Sequence, residues 1–185
     1  MIKFTSFLSE ASKVTVYHGN RFGTTKINPE HMDTSINEHG VGIYFTDDIN
    51  TAKTYGKHVV SAKVDPSDFV ESRADVSRLG RGYVDLLKYL HKVEPEGMWY
   101  LITDYGFELP NPEDVEEYHL SELAKRTSTE QIRHMQQTLV DSTSVTDFVK
   151  AWNKTIKYKG TYQRQQTGET FYMIVDPTIK LEKVF

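Results

Sequence analysis

The chain has 185 residues, with 22 Lys and Arg against 26 Asp and Glu, so its formal net charge is -4 with histidine neutral. That length fits one domain, and 38% hydrophobic with 26% charged residues exclude a disordered composition. Cysteine is absent, which excludes a disulfide framework, a thiol nucleophile and a thiolate zinc site; no apolar run approaches the roughly 18–20 residues of a membrane span, and mild acidity argues against electrostatic clamping of nucleic acid.

Met1 to Ala11 lack a cationic start followed by a long apolar stretch, so they do not read as a secretory signal. Ile2, Phe4, Phe7, Leu8 and Ala11 fall near helical spacing and predict a short amphipathic helix. Alternation from Lys13 to His18 predicts a strand ending at Gly19, and the polar stretch Asn20 to His39 reads as a loop. Gly40 to Thr46 is a short strand entered through two glycines. Asp47 or Asp48 caps a helix through Tyr55, and Gly56 ends it. His58 to Val64 is another strand, stopped by Asp65-Pro66.

Between about 67 and 159 the apolar residues recur at three and four, as in Val84, Leu87 and Leu90, which predicts four or five helices. Ser128, with Gln131 three positions on, and Ser144, with Asp147, each offer a helix cap. Pro110 and Pro112 separate two helical stretches. Strands return over Thr170 to Val175 and, after a turn at Asp176-Pro177, over Ile179 to Phe185. Strands at both ends with helices between predict an α+β class, one domain over 1–185 with a helical insertion.

Three segments carry chemistry together. They are Tyr17-His18-Gly19-Asn20-Arg21 at a strand end, Gly40-Val41-Gly42-Ile43-Tyr44-Phe45-Thr46-Asp47 with Ala52 and Tyr55 on the helix behind it, and Gln166-Thr167-Gly168-Glu169 at the mouth of a late strand. Taken singly, His18 reads as a structural histidine, the tyrosines as core aromatics and Glu169 as a solvated strand end. His18, His31 and His39 also admit a metal set, but their spacing lies mostly across a loop and no His-x-x-x-His pair occurs, so no metal is expected. Arg78 to Tyr83 reads either as a basic turn between helices or as a phosphate contact.

His-Gly after a strand, Gly-x-Gly-Ile-Tyr-Phe-x-Asp with a second tyrosine eleven positions on, and a late glutamate resemble the histidine-tyrosine-glutamate class of ADP-ribosyltransferases. That class includes diphtheria toxin and the poly(ADP-ribose) polymerases. The resemblance covers roughly residues 14–64 and 163–185 and implies a split β-sheet core. It also implies NAD as co-substrate. Tyr44 and Tyr55 would sandwich the nicotinamide cation by stacking and cation–π attraction. Gly19 would hold the carboxamide through its backbone, the missing side chain letting main chain approach the ligand. His18 would bond the adenosine ribose as a positioning group, and Asn20 is a second candidate ribose contact.

Glu169 would stabilise the oxocarbenium-like cation formed when the nicotinamide–ribose bond breaks. Aligned through Asp176, the family glutamate falls on Phe171, one pleat after Glu169 on the same face, and a bulge near Gly168 would restore the placement. Ala52 stands where the polymerases carry serine, and the loop from Asn20 to His39 is shorter than theirs, which leaves the adenosine contacts unassigned.

Met1 to Ala11, with Leu8-Ser9-Glu10, also resembles the leaders of internal head proteins in large tailed bacteriophages, cut after Leu-x-Glu. Cleavage after Glu10 would make residues 1–10 a leader and place the enzyme in a virion, then in the bacterial host cytoplasm. The reading is mono-transfer of ADP-ribose from NAD to a macromolecular acceptor, a host protein rather than nucleic acid, by a monomer with no membrane partner. The alternatives are a non-catalytic NAD-binding or partner-binding module on the same fold, and a phage internal protein acting by contact.

Overall fold

Val14 and Val16, alternating with Thr15 and Tyr17, start the first strand, whereas the late strand Thr170–Ile174 is buried throughout. The computed structural model describes residues 13–32 and 39–184, so the leader reading of Met1 to Glu10 lies outside the described residues. Strands are β1 (Val14–Asn20), β2 (Ile43–Thr46), β3 (His58–Val64), β4 (Phe69–Glu71), β5 (Gly160–Arg164), β6 (Thr170–Ile174) and β7 (Glu182–Lys183). Helix α1 is Ile49–Tyr55. A block of five helices follows: α2 (Arg81–Val93), α3 (Pro95–Asp104), α4 (Glu117–Arg126), α5 (Ile132–Ser142) and α6 (Val145–Thr155). The class is α+β.

The strands form one mixed sheet in the order β4-β5-β6-β2-β1-β3-β7. Only β4 against β5 is parallel, among the paired strands. Pairing is full between β1 and β3, from Val14 with Val64 to Asn20 with His58, and between β2 and β6, from Ile43 with Ile174 to Thr46 with Phe171. β1 and β2 share one registered pair, Tyr17 with Thr46. The sheet is therefore continuous, and it parts beyond that pair.

Two apolar clusters hold the sheet. Val16, Phe45, Val60, Tyr172 and Ile174 form one on a single face, covered by Ile27, Ile179 and Leu181. The larger cluster centres on α2, α3, α5 and α6, where Leu86, Leu87, Leu90, Phe148 and Trp152 are fully buried. Its indoles are satisfied, Trp152 donating to the Tyr158 carbonyl at 2.7 Å and Trp99 to that of Leu109 at 3.0 Å. Every residue of β6 is buried, as expected of an inner strand covered on both faces.

Several expected boundaries change. Strand β4 lies inside the stretch read as helical, too short for alternation to reveal. The expected last strand shrinks to Glu182–Lys183, because Ile179 and Leu181 pack on the sheet instead of pairing within it. Ser144 caps α6, accepting from the Asp147 amide at 3.1 Å. Ser128 caps nothing: α5 starts at Ile132 after Gln131, and the Ser128 hydroxyl donates to the Lys125 carbonyl, closing α4.

Helix α1 lies directly on β1. Gly56 follows it in extended backbone, not in the left-handed region that terminates helices. The glycine is required by crowding: a Cβ there would stand 2.5 Å from the Asn20 carbonyl carbon and oxygen. Gly56→Ala should therefore cost about 1–3 kcal/mol. Urea denaturation followed by circular dichroism checks this, and an unchanged midpoint would show that the helix is free to move away.

Candidate functional site

Past the Tyr17–Thr46 pair a cleft of about 470 Å³ opens between β1 and β2. Its walls include consecutive residues of both strands, Tyr17, His18 and Gly19 on one and Ile43 to Thr46 on the other, with Gly42 just before it. Consecutive strand residues point to opposite faces, so a cleft touching both penetrates the sheet instead of lying on it. Pairing places Tyr17, Thr46, Tyr44 and Phe171 on one face, while His18 belongs to the face of Val16 and Phe45.

His18 occupies the parting of the strands. Its Nδ1 lies 2.7 Å from the Tyr44 carbonyl oxygen, which has no proton to give, so Nδ1 carries the hydrogen and donates. Burial pushes the His18 pKa below the usual 6.5, against the opposing pull of that hydrogen bond. In the neutral ring Nε2 then keeps its lone pair as an acceptor. The ring also lies against Phe45, with centroids 5.3 Å apart.

Tyr44 is anchored at its far end, where its hydroxyl donates to the Gly40 carbonyl at 2.5 Å. Tyr55, at the end of α1, lines the same cleft and is 63% exposed, a ring available for stacking. Gly19 lines it too, but its missing side chain serves the fold: a Cβ there would overlap the Ala52 carbonyl oxygen. Packing of α1 on β1 therefore requires glycine here whether or not a ligand approaches its backbone. Asp48 caps that helix, accepting from the Asn50 amide at 2.8 Å. Asp47 instead clamps β6, accepting from the Thr170 amide at 2.9 Å and donating its own amide to the Thr170 carbonyl at 3.2 Å.

His18, Gly19, Tyr44 and Tyr55 meet around one cavity, and Asn20 and Glu169 are not among its lining residues. The Asn20 side-chain oxygen accepts from the Phe22 and Gly23 amides at 3.0 and 2.5 Å, so it shapes the turn after β1. Glu169 sits beside α1, accepting from the Thr51 hydroxyl at 2.8 Å. No bulge displaces it: β5 and β6 pair without interruption from Gly160 with Ile174 to Arg164 with Thr170. Gly168, at φ +96°, belongs to the hairpin turn closed by the Gln165 amide on the Glu169 carbonyl at 2.8 Å.

Phe171 lines the cleft at the position one pleat on. It stacks on His39 with centroids 5.1 Å apart and planes 16° from parallel. His39 Nδ1 lies 3.1 Å from the Gln163 side-chain oxygen. This wall escaped the sequence reading, because His39 and Gln163 are 124 residues apart and only the sheet joins them. Thr51 was missed as well, although its place one turn before Tyr55 on α1 was a usable signal. His18, His31 and His39 all line the cleft, yet no group of three or more metal-ligating side chains occurs among the described residues. Arg78 to Tyr83 lie elsewhere, at the start of α2. No helix among the described residues is long and apolar enough to cross a membrane.

No family model matches the chain, and no curated protein is significantly similar to it. Among solved structures, the crystal structure of an anti-CRISPR protein aligns at 12% sequence identity and a TM-score of 0.42, covering 94% of this chain and 97% of that one. A likeness of that degree assigns neither a fold family nor an activity.

The depressed pKa of His18 has a consequence for stability. As pH falls below the usual 6.5, the unfolded chain takes up the proton before the folded one does. Stability from this group is level above that value, declines down to the depressed folded pKa, and is level again below it. Urea midpoints at about pH 7.5 and about pH 5.5 should differ less in His18→Gln than in the wild type. Equal differences would show that His18 carries its proton in the fold as readily as in water.

Proposed function

We propose that the protein transfers ADP-ribose from NAD to a macromolecular acceptor, a protein rather than nucleic acid, with release of nicotinamide. The observation that carries this reading is the convergence of His18, Gly19, Tyr44 and Tyr55, from β1, β2 and α1, on one cleft. The parting of the sheet at that cleft fits the split core of the histidine-tyrosine-glutamate ADP-ribosyltransferases. The flat nicotinamide cation lies between the Tyr44 and Tyr55 rings, where each face contributes about 0.5–2 kcal/mol. The His18 Nε2 lone pair accepts from a ribose hydroxyl, and the Gly19 backbone takes the carboxamide.

Chemistry starts when the bond between the nicotinamide nitrogen and ribose C1′ breaks. The bonding electron pair leaves with nicotinamide, now neutral, and positive charge develops on the ribose. A carboxylate near that charge stabilises the transition state more than the ground state. Glu169 fills this role, held by Thr51 one helical turn before Tyr55. The acceptor nucleophile then bonds to C1′ and gives up its proton. Mono-transfer is the reading proposed.

A second reading draws on Phe171 and Glu169. An apolar ring lines the cleft where a catalytic carboxylate is expected, and Glu169 lies outside the lining. This favours a module that binds NAD or a partner on the same framework without transfer.

Incubating the protein with labelled NAD and a bacterial lysate separates the two. Transfer predicts labelled macromolecules with wild type, loss on the order of a hundredfold in Glu169→Ala, and a KM for NAD raised about tenfold in Tyr55→Ala. Equal labelling by wild type and Glu169→Ala would move the catalytic acid elsewhere. Binding of NAD without labelling would overturn transfer to these acceptors and select the binding module.

A further inference from the structure

The cleft adjoins a second groove of about 910 Å³, and His18, His31 and Ile43 line both. Phe22, Thr24, Thr25 and Lys26, from the chain after β1, contribute to this groove, as do Leu181 and Lys183 from the C-terminal stretch. Its composition is unlike that of the chain as a whole. The protein is net acidic, yet no carboxylate among the described residues lines this groove. Lys26 and Lys183 are exposed, and neither is in an ion pair among the described residues. Phe22 is 85% exposed, so its ring serves no core.

Two ammonium groups without an acidic partner complement an anion, and a bare phenyl ring offers a stacking face for a planar base. We infer that the groove holds the adenosine diphosphate arm of the dinucleotide, with Lys26 and Lys183 on the diphosphate and Phe22 against the adenine. This rests on the NAD reading of the adjoining cleft and extends it to residues left unassigned by the short loop after β1. The hydroxyls of Thr24 and Thr25 add donors along the same wall. His18 stands where the two cavities join, so one ring orients the ligand between its cationic and anionic ends. Strand β7, the shortest of the sheet, thereby acquires a role in binding: its pairing with Val60 and Ser61 sets where Lys183 sits.

The test is calorimetric titration of the full chain with NAD, with ADP and with nicotinamide riboside, which has no phosphate. The proteins are wild type, the double variant Lys26→Gln with Lys183→Gln, Phe22→Ala, and, as a charge-matched control outside both cavities, the double variant Lys63→Gln with Lys180→Gln. The expected result is that wild type binds all three ligands. The Lys26/Lys183 double variant and Phe22→Ala each weaken NAD and ADP about tenfold, and riboside binding is unchanged in every variant. The dependence of NAD affinity on salt should also flatten in the Lys26/Lys183 double variant, because fewer phosphate charges are neutralised. Unchanged NAD and ADP affinities in the Lys26/Lys183 double variant would overturn the groove assignment and leave the NAD reading standing. ADP binding without NAD or riboside binding would overturn both, making the groove a site for a free nucleotide. No binding of any ligand would likewise overturn both.

Discussion

The structure depends on an antiparallel ladder that stops early. β1 and β2 pair at Tyr17 and Thr46 and go no further, although each continues in register with its other neighbour. Parting two strands inside a sheet exposes backbone polar groups, which are costly when left unpaired. His18 answers this by turning its ring into the gap and donating to the Tyr44 carbonyl. The bond satisfies the Tyr44 carbonyl and fixes the imidazole tautomer together. A residue that first read as either structural or functional is structural through Nδ1 and free to serve a ligand through Nε2.

Helix α1 is the crosspiece over this gap. On one side it rests on β1, with the Ala52 carbonyl against Gly19 and with Gly56 against Asn20. On the other side it is tied to β6, through the Thr51 bond to Glu169 and through Asp47, just before the helix, on Thr170. One seven-residue helix therefore spaces the two parts of the sheet and delivers Tyr55 to the cavity between them.

Much of this was legible in the chain. β3, α1 and the Ser144 cap follow from short-range patterns, whereas His18, Gly19, Tyr44 and Tyr55 formed one set only through the resemblance to the histidine-tyrosine-glutamate ADP-ribosyltransferases. What escaped is what the sheet alone brings together. β4 is three residues long and finds its partner 91 positions away. The Phe171–His39 wall needs β6, β2 and the approach to β2 in place at once. Gly19 has a packing reason that the sequence does not reveal, because only the fold brings the Ala52 carbonyl against it. Glu169 shows the same limit, since its face follows from parity while its partner Thr51 does not.

The parted sheet also bears on how the fold responds to occupancy. A molecule seated in the cleft touches β1, β2 and α1 together and so bridges strands that the backbone leaves unbridged. Its binding stabilises the folded state by an amount that grows with its concentration relative to its Kd, because the unfolded chain has no such site. Amide exchange would slow most at the ends of β1 and β2 beyond Tyr17 and Thr46, where neighbouring strands have no ladder between them. The unzipped seam is in this sense the part of the architecture most strengthened by what it holds.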